Sequence, residues 1–399
     1  MQRRPHNASR RSCSAPVAAM LTVLLVLCLT MLCSGQYPWL QNSYPSYQLQ
    51  AQAWLDGRLD LGQDYPWLEL AIYEDRYYVS FPPFPSMLQL PFVAAFGTDF
   101  HDGWLALASA VIGLLCAARL IHTLRPRETK LWLLIPFLYL ANGWLFIGLN
   151  AWVWFFAQNL CFTLCMASLL CATRGQTGAA LLLLACAFGC RPMVLLYTPV
   201  LLYLSYAAAP QPGFRRWLLH SLPKALPALL LGCVYMALNQ ARFGSPFEFG
   251  HTYLPEFQRA AEGQFSLSYL PGNALRLLRL PALKDGRLAF DKFNGNAFHL
   301  LNPALLLGLA ACIRPGESKH LRVALPGLLG LNLVIILCHR TLGGWQFGNR
   351  YLVDLLPFVL LGLLLHLPRG GKRWPLLLPL GTVALLLHVL ETIRLYAAL

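Results

Sequence analysis

Long apolar runs and short polar segments alternate along the whole 399-residue chain. Many runs are rich in Leu and approach the roughly 20 residues that an α-helix needs to cross a bilayer. The pattern predicts an all-α polytopic membrane protein with about 11 transmembrane helices. The predicted spans are an N-terminal anchor and segments 104–122, 131–149, 151–172, 177–190, 193–208, 222–240, 297–313, 323–340, 351–368 and 375–397.

Two stretches outside these runs are long, 34–103 and 241–296. Loops of such length in a compact membrane protein are usually functional or contain small helices. In the first stretch, the pattern over 47–55, ended by Asp56 and Gly57, predicts a helix that lies on the membrane surface. We therefore expect one membrane domain, 1–399, with interfacial helices in its first long external loop.

The segment 85–97 decides the topology. Its length of about 13 residues would make a helix of roughly 20 Å, against a hydrocarbon core of about 30 Å, and Pro91 interrupts it. If this segment does not cross, the basic loop 119–130 lies on the same side as the basic N-terminus. The positive-inside rule makes that side cytoplasmic, so 34–103 and 241–296 lie outside.

Acidic and basic residues separate between the two predicted sides. Of the 17 Asp and Glu residues, only Glu128 and Glu317 lie on the cytoplasmic side, which leaves 15 outside or near the outer ends of spans. We therefore expect any chemistry on the outer face. The cytoplasmic cations are Arg3, Arg4, Arg10, Arg11, Arg119, Arg125, Arg127, Lys130, Arg174, Arg215, Arg216, Lys224, Arg314, Lys319, Arg322, Arg369, Lys372 and Arg373.

Composition excludes several classes of protein. With 57% hydrophobic and 12% charged residues and a mean hydropathy of +0.51, the chain does not fit an ordinary soluble fold. The net charge of +14 is spread over short loops without a basic stripe, so nucleic-acid binding is not predicted. The 12 cysteines lack zinc-ligand spacing, and neither a Walker loop nor a GxSxG motif occurs.

Five segments, in the order in which they occur, resemble the GT-C class of membrane glycosyltransferases. The class includes bacterial relatives of the polyprenyl-phosphate-mannose protein mannosyltransferases and of the lipid A aminoarabinose transferases. The order of the segments carries more of the resemblance than any one of them. They are YQLQAQAWLDGRLDL, FPPFPSMLQLPFVAAFG, LACAFGCRPMVLLYTPVLL, RFGSPFEFGHTYLPEF and GGWQFGNRYLVDLLPFVLLGL.

The resemblance implies sugar transfer from a polyprenyl-phosphate donor to an acceptor polymer, protein or lipid at the outer face of the plasma membrane. It also implies a single displacement with inversion; no cofactor is expected and no metal is indicated. Such chemistry needs a carboxylate that takes the acceptor proton and a cation that holds the phosphate. The better-known members carry an acid just before their first external helix, whereas this chain reads LQNSYPSY there.

The missing acid leaves the catalytic base to be found further along the loop. Glu69 is favoured, with Asp64 and Asp60 as alternatives. A carboxylate near the membrane surface, among the aromatic residues around 67–77, is expected to have a raised pKa, which suits proton abstraction. The competing interpretation is that these acids only solvate an external loop.

Three arginines are candidates for binding the donor phosphate. Arg350 is favoured because it lies at the outer mouth of a predicted span. Arg191 is second, because the Cys-Arg-Pro turn between two short spans places it at membrane depth, where an ionisable residue is a functional candidate. Arg76 is third. The competing interpretation is that each cation caps helix carbonyls, reaches the interface or is solvated.

Five further residues complete the predicted substrate site. Tyr77 and Tyr78 are expected to line the approach, and Gln346 belongs to the same segment as Arg350. His251 and Tyr253 are candidates for contacts with the acceptor, although a single loop histidine is usually a surface residue.

Two other functions remain open on the sequence. A lipid or solute transporter, or a flippase, would show internal repeats and ionisable groups at mid-membrane, and no convincing repeat is found. A catalytically degenerate glycosyltransferase relative that acts as a scaffold would explain the missing acid. A structure in which Glu69 and Arg350 lie on opposite sides of the bundle would contradict the pairing of these residues in one site.

Overall fold

The computed structural model describes residues 14–209, 213–284, 286–312, 319–367 and 374–399. The described chain is mostly helical, as predicted. Its helices are α1 (Ser14–Ser34), α2 (Ser46–Leu55), α3 (Phe84–Phe96), α4 (Gly103–Leu124), α5 (Leu134–Leu140), α6 (Trp144–Ile147), α7 (Val153–Thr173), α8 (Thr177–Phe188), α9 (Thr198–Ala207), α10 (Phe214–Ser221), α11 (Leu226–Phe243), α12 (Pro255–Gln258), α13 (Tyr269–Leu278), α14 (Phe298–Leu301), α15 (Pro303–Cys312), α16 (Lys319–Cys338), α17 (Leu356–His366) and α18 (Trp374–Tyr396).

Short elements connect these helices. Turns of 3₁₀-helix occupy Thr129–Leu133, Pro192–Tyr197, Pro223–Ala225, His251–Tyr253 and Arg350–Leu355. Two antiparallel hairpins pair β1 (Leu70–Tyr73) with β2 (Arg76–Val79) and β3 (Ala282–Lys284) with β4 (Arg287–Ala289).

Five helices in the described residues are long and apolar enough to cross a membrane, and a bent pair makes a sixth if it counts as one span. They lie within α1, α4, α7, α16 and α18, and the bent pair joins α10 to the helix that ends at Phe243. The other predicted spans contain shorter helices. A helix of 12 residues, such as α8, is only about 18 Å long.

The predicted span 131–149 is divided by a polar break. Asn142 lies between α5 and α6, where its amide nitrogen donates to the carbonyls of Phe137 and Leu138 and its amide oxygen accepts from the Trp144 N–H. One buried side chain thus satisfies the backbone at both helix ends, which allows a break inside the core.

Part of the predicted charge pattern lies outside the described residues, namely Arg3, Arg4, Arg10, Arg11, Arg314, Glu317, Arg369, Lys372 and Arg373. The described helices still separate into lipid-type and interior surfaces. In α1, residues at a spacing of four (Ala19, Val23, Leu27 and Met31) are buried, whereas Leu21, Leu25, Leu29 and Leu32 are exposed. An exposed face made of leucines is typical of a helix surrounded by lipid.

Helix α7 is the centre of the bundle. It packs against α4 and α8 and is buried on most sides. Its polar side chains bond to neighbouring backbones, Asn159 to the Ala106 carbonyl and Thr163 to the Ser109 carbonyl. Because each polar group inside the bundle needs a partner, these bonds fix how α7 lies against α4.

The first long segment between predicted spans, 34–103, contains the two predicted helices, α2 and α3, and the hairpin β1–β2, which the sequence pattern does not predict. Its turn places Glu74 and Asp75 at positive φ, 49° and 56°. Tight hairpin turns usually use Gly or Asn at these positions, so YEDR carries little turn signal. Helix α3 has 13 residues and ends at Phe96, just before Gly97, which is the length predicted for this segment.

Candidate functional site

One cavity of about 730 Å³ lies between the segment 34–103, the start of α7 and the loops around 247–257 and 339–354. Its polar lining includes Glu69, Arg191, Glu248, His251, Glu256, His339, Arg350 and Asp354. Its apolar and aromatic lining includes Tyr44, Trp152, Trp154, Phe247, Phe249, Phe265, Phe293, Ile335, Ile336 and Trp345. A concave apolar pocket with a few converging polar groups is the usual form of a ligand site.

Glu69 precedes β1 and is accessible from this cavity. The indole nitrogen of Trp154, in the first turn of α7, donates to the Glu69 carboxylate over 2.7 Å. The surrounding protein raises the pKa of Glu69 above its ordinary value of 4.5, and the hydrogen bond from Trp154 opposes that shift. Two nearby charges have smaller effects on this pKa: Glu256 raises it and Arg350 lowers it. The result is an accessible carboxylate that is more basic than usual.

Arg350 follows a loop with several left-handed residues. Gly348 has φ 85°, and a Cβ atom there would collide with the His388 ring and the Gly143 nitrogen. This close approach explains the glycine at position 348. The loop delivers Arg350 to the cavity wall, where its amide nitrogen donates to the Gln346 side chain and its Nε donates to the Gly343 carbonyl.

The guanidinium of Arg350 is buried but is not neutralised by a carboxylate. Its carbon lies 5.5 Å from the centre of the Phe155 ring and 5.1 Å from that of Tyr351. Among the described residues, its two terminal nitrogens have neither a hydrogen-bond partner nor an ion-pair partner. A buried cation with free donors that lines a cavity is suited to bind an anion.

Arg191 differs from Arg350 in having a carboxylate partner. It lies between α8 and the 3₁₀ turn Pro192–Tyr197, and its Nε and a terminal nitrogen both lie 2.9 Å from Asp354 Oδ2. Gln158 donates to the other Asp354 oxygen over 2.8 Å. Asp354 lies four positions after Arg350 in the sequence, yet Arg191 and Gln158 occupy its two oxygens. This pair fixes one wall of the cavity.

Two histidines, His251 and His339, also line the cavity, and their ring centres lie 6.4 Å apart. His251 bonds through Nδ1 to the Ser80 carbonyl, and His339 bonds through Nδ1 to the Thr341 carbonyl. Burial lowers the pKa of His251 below its ordinary value of 6.5. The His251 ring is therefore neutral at pH 7, so it contributes a polar edge and aromatic surface without adding charge.

The structure places the predicted site residues in two groups. Glu69, Arg350, Arg191 and His251 line the same cavity, whereas the remaining candidates do not. Asp60 lies 3.8 Å from Arg76, which is largely exposed, and Asp64 is exposed. Tyr77 and Tyr78 lie on β2, with Tyr78 packed on Phe243. Tyr253 packs on Tyr73, and Gln346 supports the Arg350 backbone from a buried position.

Several cavity residues were not predicted. Trp154 and His339 have no local motif, and the pairing of Asp354 with Arg191 spans 163 positions. The one usable sequence signal is the cluster NAWVWFF at 150–156, where two tryptophans precede a long apolar helix. Tryptophans in this position are typical of the membrane interface. The sequence pattern therefore does not predict that they lie beside Glu69.

No group of three or more His, Cys, Asp or Glu side chains in the described residues has the arrangement of a metal site. Searches for similar proteins found no matching family model, no matching curated protein and no matching solved structure.

Proposed function

We propose that this protein is an integral-membrane glycosyltransferase that moves a sugar from a polyprenyl-phosphate donor to an acceptor hydroxyl. The observation that carries the proposal is the presence of Glu69 and Arg350 in one cavity. Glu69 supplies an accessible carboxylate with a raised pKa, and Arg350 supplies a guanidinium with free donors. The resemblance of the five sequence segments to the GT-C class supports the same reaction.

In the proposed reaction, the acceptor oxygen forms a bond to the anomeric carbon of the sugar while the bond from that carbon to the phosphate oxygen breaks. The acceptor proton passes to the Glu69 carboxylate, acting as general base. The polyprenyl phosphate leaves as an anion, and Arg350 stabilises the charge that develops on its oxygens. Arg191, already paired with Asp354, positions the cavity wall and Tyr351, 4.8 Å from its guanidinium.

The apolar part of the cavity suits the lipid portion of the donor. Phe247 is 80% exposed, and Phe249, Phe265, Ile335 and Ile336 share its cavity. Exposed aromatic and aliphatic surface that continues into a polar pocket matches a substrate with a hydrocarbon chain and a phosphate.

The proposal includes the finer topology. We place the protein in the plasma membrane as a multi-pass protein with about 11 crossings, some of them interrupted helices, and with the N-terminus in the cytoplasm. The site then faces the extracytoplasmic side. Labelling of single introduced cysteines in a variant without the native cysteines would test this, with residue 99 reactive from outside and residue 127 from inside.

The function is tested with the full-length protein in proteoliposomes, supplied with a radiolabelled polyprenyl-phosphate hexose or pentose and a membrane extract as acceptor. We expect label to move to an acceptor. Arg350→Gln should lower kcat/KM by about 10²-fold, because it removes one stabilising donor set. The matched control Arg58→Gln removes an exposed cation paired with Asp56 and should leave transfer unchanged.

Two results would overturn the proposal. One is the absence of transfer from every donor tested. The other is transfer of equal rate in the wild type and in Arg350→Gln. If the labelled lipid crosses the bilayer without transfer of its sugar, the function is that of a transporter or flippase. If neither occurs while the fold is intact, the chain is a degenerate relative.

A further inference from the structure

Four aromatic side chains form one wall of the cavity beside Glu69. Tyr44 lies between Trp152 and Trp154, with ring centres 5.0 and 4.8 Å away, and Trp152 lies 5.6 Å from Trp345. We call Tyr44, Trp152, Trp154 and Trp345 the aromatic wall. All four line the cavity and are neither fully buried nor fully exposed.

The aromatic wall has features that a simple packing cluster lacks. Buried neighbours pack against its rings, since Phe155 stacks on Trp152 and Phe146 lies 4.8 Å from Trp345. Tyr396 of α18 also lies 5.8 Å from Trp152 and 5.3 Å from Trp345, and the surface that these neighbours leave uncovered lines the cavity. Rings that are already held by packed neighbours lose little side-chain entropy on binding a ligand.

The hydrogen-bonding groups next to the aromatic wall narrow the class of ligand. Trp154 donates its indole N–H to Glu69, so the wall and the carboxylate form one unit. A ligand that fits must offer a flat apolar C–H face to the rings and hydroxyl groups to Glu69 at its edge. Sugar rings combine these two features, whereas a purely hydrocarbon ligand would leave the carboxylate without a partner.

We propose that the aromatic wall is a stacking site for a sugar ring whose hydroxyl edge meets Glu69. This proposal rests on the function proposed above, because only that function makes the bound sugar a reactant. The sugar belongs either to a saccharide acceptor or to the donor, and both sources share the same chemistry of recognition.

Binding without turnover tests this site. Full-length protein in nanodiscs is titrated calorimetrically with a methyl hexopyranoside, a short oligosaccharide and a short-chain prenyl-phosphate hexose, and saturation-transfer NMR maps the sugar protons in contact. We expect saturation of the protons on one ring face. Trp152→Leu should weaken binding of the sugar about fivefold to tenfold, because it removes one stacking surface.

One variant serves as the matched control. Trp39→Leu removes an exposed tryptophan that does not line the cavity and should have no effect. A thermal unfolding curve for each variant separates loss of the site from loss of the fold.

The outcomes separate the two sources and the two proposals. Binding of the free saccharides that depends on Trp152 assigns the wall to the acceptor; dependence seen only with the prenyl-phosphate hexose assigns it to the donor. Affinities unchanged in Trp152→Leu and Trp345→Leu, or no binding of any probe, would overturn the proposal. Wall-dependent binding without sugar transfer would instead retain this site and reject the transferase.

Discussion

Glu69 and Asp102 are two carboxyl groups in the segment 34–103 whose pKa is raised by desolvation, yet their surroundings differ. Glu69 opens to the cavity and shares it with the free donors of Arg350. Asp102, at the start of α4, is only 2% exposed and accepts hydrogen bonds from Asn42 and Gln89. The pKa of Asp102 is raised to about 7.

The difference shows that a raised pKa alone does not identify a catalytic acid or base. Asp102 ties α4 to Asn42, whose amide also donates to the Ala151 carbonyl at the start of α7. Its polar partners are amides, and Asp102 does not line the cavity that contains Glu69. Glu69 has both access and a cation in reach, which is why it is the group to which we assign chemistry.

The comparison predicts its largest effect for Glu69→Gln. Loss of the general base should lower kcat for sugar transfer by about 10³-fold, while the unfolding temperature stays close to that of the wild type. Asp102→Asn should keep kcat within about threefold, because this residue only supports the fold. Steady-state kinetics in proteoliposomes measures both.

Glu262→Gln is the matched control for Glu69→Gln, since Glu262 is an exposed glutamate outside the cavity whose partner is Ser266. If transfer survives Glu69→Gln but is lost in Asp64→Asn or Asp60→Asn, the base is one of the two acids that the sequence offers as alternatives.

A smaller effect is expected on stability from Asp102→Asn. In the folded state the Asp102 carboxyl keeps its proton up to about pH 7, whereas the ordinary pKa of this group is 3.8. The contribution of the protonated carboxyl to the stability of the fold is therefore complete below pH 3.8 and is lost as pH rises through 7. The wild type should therefore lose on the order of a few kcal/mol across this window, and Asp102→Asn should not. Unfolding temperatures measured in detergent from pH 4 to 8 test this, and parallel curves would contradict it.

The smallest effect is expected from Trp154→Phe on the pH dependence of transfer. The indole N–H lowers the pKa of Glu69, so its removal should raise that pKa further. Because the base must be ionised, the acid limb of the kcat/KM profile should move to higher pH, while the rate at high pH changes little. An unchanged acid limb would mean that Glu69 does not set it.

The sequence by itself determined the class of the protein and most of its helices. Runs of apolar residues predict α1, α4, α7, α16 and α18 because a membrane-crossing helix is a local pattern, readable within about 20 residues. Arg191 and Arg350 could also be proposed from their positions within or at the mouth of such runs, and Glu69 and His251 from the resemblance to the GT-C class.

Only the tertiary structure decided how these residues meet. The bond from Trp154 to Glu69 joins residues 85 positions apart, and the Arg191 and Asp354 pair joins residues 163 apart. Helix packing brings the two residues of each pair together, and no periodicity in the sequence predicts these contacts. The hairpin β1–β2 was likewise hidden, because its turn uses Glu74 and Asp75 at positive φ. Local hydrophobic patterns thus determine the helices, whereas long-range packing forms the cavity and determines which charged side chains remain without a partner.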